Sequence, residues 1–187
     1  GITSTLREIG TEKAIGYLYQ FLQDKDASVR VAAIYNLSSI GDDKAVDAII
    51  GKRWDKDLDV QKSVAKALGI IGNEKVIIPL IQMIKVVYSN LRIYEEWRTY
   101  PEEKVLDEAI SSLKSFGEPG VDALIESFKK DDDFEARSTF AYVLGELGNP
   151  KAIEPLSEAL EDTDFVVRTS ATKSIEKLKK KKKQTKY

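Results

Sequence analysis

A recurrence constrains this chain more than any other feature. The stretch Asp26 to Gly41, DASVRVAAIYNLSSIG, returns as DLDVQKSVAKALGIIG from Asp57 to Gly72 and as DFEARSTFAYVLGELG from Asp133 to Gly148. A further copy, DFVVRTSATKSIEKL, begins at Asp164. Gly10, Gly41 and Gly72 stand 31 residues apart, as do Gly117 and Gly148; only the step from Gly72 to Gly117 is longer, by 14. A fixed period of this length marks a solenoid, because so short a unit cannot bury its apolar face alone and must stack on its neighbours.

The unit Thr11–Gly41 shows what each copy should fold into. Ala14, Tyr17, Leu18, Phe21 and Leu22 recur at helical spacing, and Thr11 can cap that first helix. The turn Asp24-Lys25-Asp26 breaks it, and Asp26 can cap a second helix with Val29, Ala33, Leu37 and Ile40 as its buried stripe. Gly41 ends that helix, where a left-handed backbone costs glycine least. Pro79 and Pro155 share one slot of the first helix. A proline inside a helix costs about 3 kcal/mol, so a bend is expected there.

The expected fold class is all-α: a right-handed α-solenoid of stacked helical hairpins, with first helices on the convex side and second helices on the concave side. The repeat domain spans 1–179, with a half repeat at 1–10, repeats at 11–41, 42–72, 73–117, 118–148 and 149–179, and a Lys-rich tail at 180–187. Leu6 to Gly10 matches Leu37 to Gly41, so the sequence opens inside a second helix and an upstream half-repeat is expected. In the last copy Glu176 and Lys179 replace glycines, so that helix should run on into the lysines, as a C-terminus would.

Composition narrows the chemistry. The chain has no Cys and no His, which removes disulfides, thiolate zinc sites, a cysteine nucleophile and the commonest general base. No apolar run is long enough to span a bilayer and no signal-peptide pattern opens the chain, so no membrane partner and a cytoplasmic setting are expected. The net charge of −2 is unevenly placed: seven lysines fall within 177–186, leaving −9 on the rest.

The pattern Val29-Arg30…Ala33…Ile40-Gly41, followed by Ala152-Ile153-Glu154-Pro155-Leu156 in the last copy, resembles the short HEAT-like repeat of the phycobilisome-lyase type. The resemblance covers nearly the whole chain except the insertion and the tail. It implies ion pairs running from repeat to repeat between Arg30, Arg137 and Arg168 and the turn acids. Gln61 and Leu106 occupy that Arg slot in the second and third repeats, so one rung should be uncharged and the ladder should break at the insertion. Some relatives of this type are hydroxylases with His-Glu iron ligands, which a chain without His does not carry. Others bind or detach tetrapyrroles, or act as chaperones of proteins that bear them.

The remaining candidates each have a structural explanation beside a functional one. Asp24, Asp26, Asp55, Asp57, Asp131 to Asp133, Asp162 and Asp164 could hold a hard cation, but their recurrence in each regular repeat favours helix capping. The run Lys179 to Lys183 could hold nucleic acid or an anionic membrane surface; with no aromatic among the lysines to stack on bases, it reads better as a solvated tail. The insertion, about 86–100, carries Tyr88, Arg92, Tyr94, Trp97, Arg98 and Tyr100, the composition of a binding hot spot. Its rings could equally fold onto their neighbours, Trp54 among them. The first helix of this unit should overshoot by one or two turns through Tyr88 and Leu91.

The function expected from these residues is a non-catalytic interaction scaffold, not an enzyme, with no cofactor or metal. Its protein partner would lie on the concave face, where Tyr35, Lys66, Ser111, Tyr142 and Glu146 vary between units at positions the core does not need. The alternatives are an accessory or chaperone-like lyase subunit handling a cofactor-bearing protein, and nucleic-acid binding through the tail.

Overall fold

Caps and stops turn the 31-residue period into helices. In this computed structural model residues 13–92 and 102–184 are described. The helices are α1 (13–21), α2 (Ala27–Ile40), α3 (Asp43–Ile50), α4 (Leu58–Ile71), α5 (Ile77–Arg92), α6 (Glu103–Ser115), α7 (Glu118–Lys130), α8 (Phe134–Leu147), α9 (Ile153–Glu158) and α10 (Phe165–Gln184). Asp26, Asp57, Asp133 and Asp164 each accept a hydrogen bond from the amide two residues on, the N-cap geometry expected for the second helices. Gly41, Gly72 and Gly148 end α2, α4 and α8 in the left-handed conformation. Gly117 differs: it also has positive φ but an extended ψ of −131°, and it starts α7.

The prolines lie at the starts of their α-helices rather than inside them. A 3₁₀ turn at Glu74–Val76 precedes α5, and another at Pro150–Ala152 precedes α9. Pro79 and Pro155 therefore fall in the first turn of their α-helices, where the missing amide would have had no intrahelical acceptor.

The architecture is an all-α solenoid. The second helices α2, α4 and α6 stack in series, and α8 stacks on α10. One apolar core runs the length of the stack, through Ile34, Leu68, Ile84, Leu113, Leu144 and Leu156 among others. The buried stripe of α2 is rotated from the expected one: Arg30, Ala33, Ile34 and Leu37 are buried, whereas Val29 sits at the edge and Ile40 is exposed. A second helix has to bury two flanks, one against its hairpin partner and one against the next repeat. On α1 only Leu22 of the five expected positions is fully buried, and Tyr17 and Phe21 are exposed.

Between the regular stretches lies a looser joint. The second helices α6 and α8 barely meet, and α5, longer than any other first helix, fills the space by packing on both. The expected overshoot is thus present, since α5 continues through Tyr88 to Arg92.

Candidate site on the second-helix face

Two layers of polar structure organise this face: a ladder at its rim, and beside it one open groove. Arg30 donates from Nε and Nη2 to the two carboxylate oxygens of Asp55, at 3.0 and 2.7 Å. Arg137 does the same to Asp162, at 2.9 and 3.0 Å. Each guanidinium also donates from Nη1 to carbonyls of its own turn, Asp24 and Lys25 for Arg30, Asp131 and Asp132 for Arg137. A planar fork does both tasks at once, which is why arginine suits the slot.

The two weak slots behave differently from each other. Gln61 donates to the Asp55 carbonyl at 2.7 Å, so it clamps its own turn and bridges nothing. The expected break at Leu106 does not occur at the carboxylate that rung would have met: Lys85 of α5 reaches Asp131 at 2.8 Å and takes the place of the missing arginine. The overshooting first helix therefore supplies the charge that the second helix lacks.

The hydrogen bond from Arg137 holds the Asp162 carboxyl below the usual carboxylate range, with the Asp164 amide adding to it against the opposing effect of burial. At Asp55 burial pushes upward, yet the Arg30 hydrogen bond, the Asp57 amide and the charges of Arg30 and Lys52 outweigh it, and the pKa falls. Among the described residues no group of three or more His, Cys, Asp or Glu side chains could hold a metal ion.

The open groove lies across α2, α4 and α6, with a volume of about 440 Å³. It is lined by Val31 and Tyr35 of α2, by Asp59, Lys62 and Lys66 of α4, and by Glu108 of α6. The Lys66 ammonium lies 5.8 Å from the centre of the Tyr35 ring. Neither Lys62 nor Lys66 has a carboxylate within ion-pair distance among the described residues, whereas Lys75, Lys85, Lys129, Lys151 and Lys177 all do. Ser111, one helix further along, is exposed.

The same stripe on α8 is closed. Ser138 is buried and shares a 3.0 Å hydrogen bond with Ser170 of α10. The Tyr142 ring lies against Tyr88 of α5, with centroids 5.3 Å apart, and Glu146 is paired with Lys177 of α10. Burial, then the nearby Glu146, Tyr88 and Asp107, push the Tyr142 phenol up to about 12. Tyr142, Glu146 and Tyr88 are thus brought together, away from Tyr35 and Lys66. Arg92 closes α5, while Tyr94, Trp97, Arg98 and Tyr100 lie outside the described residues. Trp54 is exposed beneath the Arg53 guanidinium, 5.3 Å from its ring centre. Lys85 shares its slot on the first helix with Gln23, Trp54, Lys130 and Glu161, so the repeat gives that slot no consistent charge; the overshoot beyond Lys85 is the available signal.

Among the described residues no helix is long and apolar enough to cross a membrane. The family model for HEAT repeats matches residues 18–93 and 94–176. Phycocyanobilin lyase subunit alpha of Picosynechococcus sp. is 40% identical over 67 residues, which is 33% of this chain and 25% of that protein. The protein of the same name from Nostoc sp. is 42% identical over 67 residues, 33% of this chain and 24% of its own length. The chain therefore spans about a quarter of the length of these relatives. Among solved structures, the complex of CpcE and CpcF of phycocyanin lyase from Nostoc sp. aligns over 89% of this chain and 65% of that one, at 21% identity and a TM-score of 0.46. An engineered protein aligns over 96% and 87%, at 22% identity and a TM-score of 0.45.

The lyase-subunit relatives overturn the expectation of a non-catalytic scaffold, and with it the reading that the chain is no part of an enzyme. That expectation leaned on the missing His and Cys, and their absence removes two kinds of side chain from the chemistry without removing the chemistry. The matched residues take in both regular halves of the stack, and the chain belongs to the HEAT repeat family, with repeats of the phycobilisome-lyase type.

Proposed function

We propose that this chain is the repeat portion of a bilin lyase subunit, one that holds an open-chain tetrapyrrole beside the protein that receives or carries it. The observation that carries this reading is the 40% identity over 67 residues to a phycocyanobilin lyase subunit alpha. The groove across α2, α4 and α6 supports it chemically. A bilin is an extended conjugated chain with two propionate carboxylates. Lys62 and Lys66 stand one helical turn apart, both without a carboxylate partner among the described residues, and the Tyr35 ring offers a flat apolar surface beside them. Glu108 and Asp59 in the same groove would disfavour an anion seated in the reverse sense. Ser111, exposed one helix further along, would then face the protein partner.

With no His or Cys, any proton held near the bilin by this chain must sit on a Lys, Tyr or carboxyl group. Binding and orienting the pigment is itself a route to large rate effects. The test is spectroscopic. Titrating the purified chain into phycocyanobilin should shift and sharpen the visible band of the pigment, and Lys62→Glu with Lys66→Glu should abolish the shift while leaving the helical circular dichroism intact. An unchanged pigment spectrum with the parent chain overturns the reading.

A further inference from the structure

We propose that Glu108 is the group in the groove that accepts the pyrrole N–H bonds of the pigment, so that the site selects an open-chain tetrapyrrole in its protonated form. The proposal rests on the bilin reading above. Two kinds of charge line the groove, and neither is neutralised. Lys62 and Lys66 come from α4, and Glu108 comes from α6, the next second helix of the stack. Lys62 and Glu108 are both half-buried, yet neither has a hydrogen bond or ion pair among the described residues. A charge partly withdrawn from water without a partner is costly, and a ligand of opposite charge offsets that cost.

The other charged groups nearby are accounted for. Arg30 of α2 is turned to Asp55 and to the carbonyls of its own turn. Asp59 is exposed in the first turn of α4, where the helix N-terminus already favours a carboxylate. Asp107, beside Glu108, acts on Tyr142 of α8. Lys104, one turn before Glu108, is exposed and does not line the groove. Tyr35 of α2 lies under the Lys66 ammonium. Glu108 is thus the half-buried carboxylate of the site among the described residues.

A bilin matches this layout. Its two propionates are anions at neutral pH, and its pyrrole nitrogens carry N–H donors. One nitrogen is basic, and protonation there gives a cation delocalised along the conjugated chain. The lysines satisfy the propionates. A carboxylate on the neighbouring helix satisfies the N–H groups, and its charge favours the protonated pigment. The proton comes from solvent and stays on the pigment nitrogen, while Glu108 stays ionised. A closed macrocycle offers the same propionates but turns its nitrogens to the centre of the ring, where a side chain at the edge does not reach them. Glu108 therefore adds nothing to the binding of a porphyrin.

The experiment is a pH titration of phycocyanobilin bound to the parent chain, to Glu108→Gln and to Asp59→Asn, read from the visible band of the protonated pigment. Glutamine keeps the size and one acceptor oxygen and removes the charge. The protonated band should persist to a pH about one unit or more higher on the parent than on Glu108→Gln, with Asp59→Asn close to the parent. Glu108→Gln should also bind phycocyanobilin roughly tenfold more weakly at neutral pH, the equivalent of one such unit, while binding metal-free protoporphyrin as the parent does. Damage to the fold would weaken both pigments together, so the pair of ligands separates recognition from structure. Loss of the protonated band at the same pH on parent and Glu108→Gln overturns the proposal. So does an equal loss of affinity for both pigments, or a shift as large for Asp59→Asn. Each of these leaves the bilin reading standing, provided the parent alters the pigment spectrum. A parent that leaves the spectrum unchanged overturns the bilin reading, and this proposal with it.

Discussion

Helices α4 and α8 are the same element of two repeats, and they have diverged in opposite directions. At the ladder slot α4 carries Gln61 and bridges nothing, whereas α8 carries Arg137 and grips Asp162. Five residues on, α4 presents Lys66 to an open groove, whereas α8 turns Tyr142 against Tyr88 and seals its stripe. A third slot is shared, since Gly69 and Gly145 each press on a serine of the following second helix. The difference shows how a repeat protein separates its tasks. Slots that set the spacing between helices stay fixed, and slots free of that duty become either a site or a joint. Which one a slot becomes depends on what the neighbouring first helix does. Where α3 is short, the face stays open; where α5 overshoots, the face is filled.

The largest expected effect comes from making α8 resemble α4 at the ladder. Arg137→Gln should lower stability by about 2–4 kcal/mol, because the half-buried Asp162 carboxylate loses its partner. The reverse position, Gln61→Ala, should cost about 1 kcal/mol, the worth of one neutral hydrogen bond. Chemical denaturation measures both, and equal losses would dissolve the contrast between the two slots. The pH dependence carries the same signature. The Asp162 pKa is depressed in the folded protein, so its contribution is complete above the ordinary carboxylate value of about 3.9 and fades as pH falls through the lower folded value. The stability gap between parent and Arg137→Gln should therefore be flat near neutrality and shrink below about pH 4.

Next in size is the sealed stripe. Tyr142→Ala removes a half-buried ring from its stack on Tyr88 and should cost about 2–3 kcal/mol, less than a fully buried aromatic. A loss below about 0.5 kcal/mol would mean that the α5 overshoot covers α8 without supporting it. Spectrophotometric titration gives a second reading: Tyr142 should ionise near 12.

The glycines should behave alike in both helices. A Cβ on Gly145 would lie 2.6 Å from Ser174 Oγ and 3.0 Å from its Cα; on Gly69 the distances to Ser112 Oγ and Cα are 2.5 and 3.1 Å. Overpacking outweighs the gain in helix propensity, so Gly69→Ala and Gly145→Ala should each cost about 1–2 kcal/mol. Among the described residues a Cβ on Gly16 meets nothing within 4 Å, and Gly16→Ala in α1 should stabilise by up to about 1 kcal/mol. Three measurements of the same substitution with two signs separate a spacing role from a conformational one.

What the sequence disclosed follows the same division. The acid at Asp26 and the glycine at Gly41 act within a turn of their own position, so recurrence alone located the caps and stops. The Arg30 to Asp55 pair spans adjacent repeats, and the resemblance to the repeat family is what implied it. Lys85 and Tyr88 were not assigned their roles, because the length and tilt of α5 bring them to Asp131 and Tyr142, and neither is periodic. On α8, Tyr142 and Glu146 look free in the repeat, yet Tyr142 packs on Tyr88 of α5 and Glu146 pairs with Lys177 of α10. The prolines misled in a different way, since the 3₁₀ turn before α5 moves the helix start by one turn.

The smallest expected effect is the one that separates site from joint most cleanly. Lys66 is exposed, has no carboxylate partner among the described residues, and lies over the Tyr35 ring. An exposed cation over an aromatic ring is worth about 0.5–1 kcal/mol at most, and Lys66→Ala recovers part of that through helix propensity. The melting temperature should therefore move by no more than a few degrees, as expected for a shift below about 0.5 kcal/mol in a chain of this size. Tyr142→Ala, at the same slot of α8, should move it several times further. If Lys66→Ala instead costs as much as Tyr142→Ala, the groove is part of the framework and its free lysines hold the repeats together. If Lys66→Ala is silent in stability yet weakens the response to phycocyanobilin, one slot of the repeat has been kept for the ligand and its counterpart for the fold.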